Sequence, residues 1–144
     1  MLLLSTERTF FRGTEGYETA RRETVWNGLL PARFPDVIVQ AHDTDDVVTA
    51  LRYARANGDH VGVCSGGRSW VASHLRDGGL LLDVSRLDHC AVEPDRMTAD
   101  VGPGKAASAF ATDLDAQGLF FPAGHCEGIR LGRSEERRVG KECW

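Results

Sequence analysis

A layered α/β or α+β domain is what this sequence predicts, on three observations. Short β-branched runs alternate with helical periodicities, glycines and prolines punctuate them at short intervals, and the leading unit reads strand, helix, strand. Such a unit predicts some parallel pairing, because a helical crossover returns the chain in its original direction. At 144 residues the chain is about one domain long, enough for a single core.

After a polar N-terminal segment, residues 1–20, the run DVIVQA (36–41) reads as a buried strand. HDTDDVVTALRYARANG (42–58) is the best-marked helix: Asp43 or Thr44 caps it, acids fill its first turn, Val47, Val48, Leu51 and Ala54 form an apolar face, and Gly58 stops it. HVGVC (60–64) is a second strand that runs straight into two glycines, and GGLLLDVSRL (78–87) supplies a third. HCAVEPDRMTADVG (89–102) reads as two strands around a turn at Pro94-Asp95. From Pro103 to Gln117, the spacing of Ala106, Ala107, Phe110, Ala111 and Leu114 is helical, with Gly118 past the end. Trp26, Phe34, Tyr53, Phe110 and Phe120 are expected in the core. RSEERRVGKECW (133–144) breaks this pattern without caps or alternation, and residues 132–144 read as a non-native or disordered tail.

A net charge of -4 and a pI near 5.7 argue against nucleic-acid binding, since no face-sized basic block precedes the C-terminal end. No run reaches membrane-spanning length, and the opening MLLLSTERTFF lacks a signal-peptide pattern, so a cytoplasmic protein without membrane contact is expected. The four cysteines, Cys64, Cys90, Cys126 and Cys143, form no C-x-x-C pair, and the dipeptides His89-Cys90 and His125-Cys126 fit no zinc spacing, so no metal site is expected. Asp83, Ser85 and His74 lack the nucleophile elbow that a hydrolase triad would need; strand-end hydrogen bonding is the simpler reading.

The stretch VCSGGRSW (63–70) carries the most chemistry. Adjacent glycines after a strand let backbone N–H groups converge on a closely approaching group, and with Ser65 and Ser69 they suit a phosphate. Neither common nucleotide fingerprint is present, and on the residues alone a tight structural turn fits equally well.

Five motifs in order shift that balance: WNGLLPARFPDVIV (26–39), SGGRSW (65–70), DGGLLLDVSRL (77–87), VGPG (101–104) and GLFFPAGHC (118–126). Together they resemble the FAD-binding domain of the vanillyl-alcohol oxidase and p-cresol methylhydroxylase (PCMH) type, within it the berberine bridge enzyme-like oxidases. The resemblance implies an α+β sandwich, a mixed sheet with flanking helices, over residues 21–131 and incomplete at its C-terminal side. It implies FAD as cofactor, held by Ser65, Gly66, Gly67, Arg68 and Ser69 around the pyrophosphate, with Trp70 packed either against the flavin or adenine or in the core, and by Gly102, Gly104, Gly124, His125 and Cys126 along the remainder.

Two departures follow. Members often carry a flavin-linked histidine where this chain has Arg68, whose guanidinium stays protonated and is a poor nucleophile, so no histidyl link is expected. Arg68 suits a pyrophosphate partner or an exposed loop position equally. Cys126 stands where bicovalent relatives attach a cysteine to flavin C6, and either that link or a buried inert thiol fits it. The family's substrate domain and catalytic base have no counterpart after GHC. The expected function is therefore the FAD-binding portion of an oxidase whose full-length parent oxidises a small organic molecule and passes electrons to dioxygen, this portion alone being inactive. A non-catalytic flavin- or nucleotide-binding module is the alternative.

Overall fold

A computed structural model describes residues 4, 5, 7–123 and 128–132. Gly124, His125 and Cys126 lie outside the described residues, as does the expected tail beyond residue 132. The chain forms two compact units, Met1–Arg86 and Leu87–Trp144.

The first unit is built on a four-stranded mixed sheet. Its elements are β1 (Thr9–Phe11), α1 (Tyr17–Glu23), β2 (Val37–Gln40), α2 (Thr44–Asn57), β3 (Val61–Cys64) and β4 (Leu80–Asp83), with strand order β1-β2-β4-β3. β2, β4 and β3 run parallel and β1 is antiparallel, so the expected mixed sheet with helices forms. The β2-α2-β3 crossover skips one position, and β4 fills the gap. β4 is thus interior, and its continuous run LLLD is buried at every position, as a strand covered on both faces requires. Ile38 pairs with Leu81 at the centre, both at 0% exposure. Burial of each such side chain is worth about 1.5–3 kcal/mol.

α2 starts where its sequence says: the Asp43 side chain accepts from the Asp46 N–H at 2.8 Å, and Gly58 ends it at φ +70°. Its buried face, however, is Ala50 and Ala54, and Leu51 is exposed. The small alanines let the helix approach the sheet closely and rotate Leu51 out of the contact. Residues 1–20 contribute β1 and the start of α1, whose Tyr17 and Ala20 are buried; the Tyr17 hydroxyl donates to the Pro35 carbonyl at 2.6 Å.

The second unit holds an antiparallel hairpin, β5 (Cys90–Glu93) and β6 (Thr98–Val101), turned by a short 3-10 segment at Pro94–Arg96, and α3 (Ala107–Asp115). α3 begins later than its spacing predicts, because the preceding residues are committed elsewhere. Gly104 N–H donates to the Leu87 carbonyl at 2.7 Å, Lys105 N–H to the Gly102 carbonyl at 3.1 Å, and Ala106 bridges Arg130. Phe110 is buried as expected, but Trp26 and Phe120 are not core residues: they are 43% and 87% exposed.

Candidate functional site: a glycine turn at the carboxyl end of a parallel strand

Ser65 to Trp70 leave the carboxyl end of β3, the edge from which parallel sheets present their ligands. Residues 65–79 are themselves the crossover joining the parallel neighbours β3 and β4, and no helix intervenes within that connection. That connection doubles back on the chain, and its position is fixed from below.

The fixing point is the Thr24 carbonyl. Gly67 has φ +62°, and a Cβ there would lie 2.2 Å from that oxygen. The Cys64 thiol donates to the same oxygen at 3.8 Å, and the Gly67 carbonyl accepts from the Trp26 N–H at 3.4 Å. Gly67 is thus glycine for an internal reason, whatever approaches from outside. Burial pushes the Cys64 thiol up to about 12, with Asp83 adding to the rise and the Gly67 backbone opposing it, so Cys64 is a neutral packing group. His74 sits nearby, 8% exposed, with its Nε2 unpartnered among the described residues. Burial pulls its pKa below the ordinary value, against the Thr24 carbonyl, which raises it; Arg33 lowers it and Asp83 raises it.

Above this base the turn offers donors. Among the described residues, no acceptor meets the Gly66 N–H. The Ser69 hydroxyl accepts from the Ser73 N–H at 3.2 Å and lies 3.2 Å from the Ser73 hydroxyl, which holds the outer half of the turn. Arg68 places its Cζ 5.4 Å over the Trp26 ring, so its guanidinium is held at the turn. From His60 to Arg76 the sequence carries no Asp or Glu. Backbone N–H groups, hydroxyls and a guanidinium fit a pyrophosphate.

In the second unit, VGPG folds over the Leu87 carbonyl: a Cβ at Gly102 would lie 2.1 Å from that oxygen, and the Gly104 N–H is bonded to it. Arg130 donates its Nη1 to the Gly104 carbonyl, and Lys105 pairs with Asp113 at 2.7 Å, so this turn is also held from within. Asp83 accepts from the Ser85 N–H at 2.9 Å, the strand-end bond expected in place of a hydrolase role. Among the described residues no group of three His, Cys, Asp or Glu side chains could hold a metal, and no helix is long and apolar enough to cross a membrane. The sequence reading missed Trp26 as a neighbour of the turn. The Asn27-Gly28 pair that follows it is a surface-turn signal that could have placed it outside the core.

The parallel carboxyl edge and the internally fixed glycine turn with its donors fit a dinucleotide-binding domain. The chain belongs to the FAD binding domain family, whose model matches residues 35–132. It is 32% identical over 116 residues to the FAD-linked oxidoreductase nodO of Hypoxylon pulicicidum, covering 81% of this chain and 26% of that protein. With the FAD-linked oxidoreductase YgaK of Bacillus subtilis strain 168 it shares 29% identity over 126 residues, 88% of this chain and 27% of that one. Its fold is that of 6-hydroxy-D-nicotine oxidase from Arthrobacter nicotinovorans, with a TM-score of 0.77 at 22% identity, covering 90% of this chain and 28% of that structure. The chain therefore spans about a quarter of the length of these relatives.

Proposed function

We propose that this chain holds FAD within a longer FAD-dependent oxidoreductase of the berberine bridge enzyme-like type. The observation that carries the proposal is the donor-lined turn at Ser65–Ser69, mounted on the carboxyl end of β3 in a chain of the FAD-binding family. FAD, when bound, takes two electrons from a small organic substrate and passes them on, with dioxygen as the proposed acceptor. The Gly66 N–H, the serine hydroxyls and Arg68 bind the pyrophosphate. Gly102 and Gly104, with Gly124, His125 and Cys126, line the rest of the cofactor.

Arg68 cannot supply a histidyl link, so Cys126 is the attachment point left among the matching motifs. Acid precipitation of the FAD-loaded protein tests this. Flavin should stay in the wild-type pellet and leave the Cys126→Ala pellet, and a colourless wild-type pellet would refute the link. The free thiols of Cys64 and Cys90 suit a cytoplasmic setting. The chain spans about a quarter of the length of its relatives, and by itself it is expected to bind FAD without turnover. Fast substrate-dependent peroxide release by the purified chain would contradict this.

A further inference from the structure

We infer that Trp70, braced by Trp26 and Arg68, is a stacking platform for a flat heteroaromatic ring held beside the glycine turn. The inference rests on the FAD reading of that turn and adds a contact of different chemistry to it.

Trp70 is 71% exposed and Trp26 43%, an unusual position for two large apolar rings side by side. Their centroids are 4.9 Å apart at 81°, an edge-to-face contact that fixes the plane of one ring against the other. The mount is stiff. Trp26 N–H donates to the Gly67 carbonyl, Asn27 Nδ2 to the Trp70 carbonyl at 3.5 Å, and Arg33 to the Val71 carbonyl. Arg68 lies over the Trp26 ring and occupies it, which leaves Trp70 as the ring with most of its surface open.

An indole held rigidly beside a phosphate-binding turn is preorganised to stack a planar ring, since little freedom is lost on contact. Two rings share the required chemistry, both of them parts of FAD: its adenine and its isoalloxazine.

Calorimetric titration of Trp70→Phe and Trp70→Leu chains with FAD, riboflavin and ADP tests the platform, with melting temperature as control. Trp70→Phe should bind FAD within about threefold of wild type and Trp70→Leu about tenfold more weakly. Both should melt with the wild type, because the replaced side chain is mostly exposed. A Trp70→Leu loss carried by riboflavin assigns the isoalloxazine, and one carried by ADP assigns the adenine. Equal FAD affinity in all three chains would overturn the platform while leaving the turn intact. Absence of FAD binding to a folded wild-type chain would overturn both.

Discussion

The Gly67 α-carbon lies against the Thr24 carbonyl so closely that a β-carbon would sit 2.2 Å from the oxygen, with backbone on both sides of the contact. Neither partner can rotate away, so the Ser65–Trp70 turn has one seat on the domain.

Gly67→Ala should therefore cost at least about 2 kcal/mol, from the clash and from a left-handed φ that disfavours a side chain. Gly118→Ala is the control: φ is +66° there too, but nothing lies within 4 Å, and its cost should be about 1 kcal/mol. Urea unfolding of both variants separates strain from collision; equal losses would remove the Thr24 contact from the account.

Arg21 should be the most sensitive charged position. Its buried guanidinium bonds Glu18 at 2.9 Å, the Pro31 carbonyl at 2.9 Å and the Arg33 carbonyl at 3.2 Å, and lies 4.5 Å over the Phe34 ring. Arg21→Met leaves the Arg33 carbonyl unpaired, while the Pro31 carbonyl keeps the Arg33 N–H at 2.8 Å, and should cost about 1–3 kcal/mol in denaturant unfolding. Glu18→Gln, at a half-exposed partner, should cost under about 1 kcal/mol.

Stability should fall below neutral pH through His74. Its folded pKa is lowered by burial, so the unfolded chain binds the proton first; the contribution is complete above about 6.5 and is lost as pH falls toward the lowered value. His74→Gln should flatten the stability profile just below pH 6.5. An unchanged slope would place the proton uptake elsewhere.

Cys64 gives the opposite sign at alkaline pH. Its folded pKa is about 12 against an ordinary 9.0, so its contribution is whole below about 9 and is lost as pH rises toward 12. The loss should not exceed about 1.4 kcal/mol per pH unit. Under native conditions at pH 8, a thiol reagent should leave Cys64 unmodified and label it after unfolding. Rapid native labelling, assigned by peptide mapping, would contradict the buried seat.

The elements with local signals were legible in the sequence: Asp43 and Gly58 bound α2, and Pro94 turns the β5-β6 hairpin. The order β1-β2-β4-β3 was not, because β4 reaches its interior position through a long crossover that carries no periodicity. The glycine turn was visible as composition, but the reason for Gly67 was not. Thr24 is an ordinary residue whose contribution is a backbone oxygen, and its distance along the chain hides the contact. Trp26 was misplaced for a related reason: hydrophobicity predicts burial, while its exposure is set by the Asn27-Gly28 turn and by Arg68.

Equilibrium dialysis of the purified, folded chain against FAD tests the central claim most directly. The account predicts saturable, stoichiometric binding that is abolished or strongly weakened in Gly67→Ala. A chain that is folded by circular dichroism and takes up no FAD would contradict it.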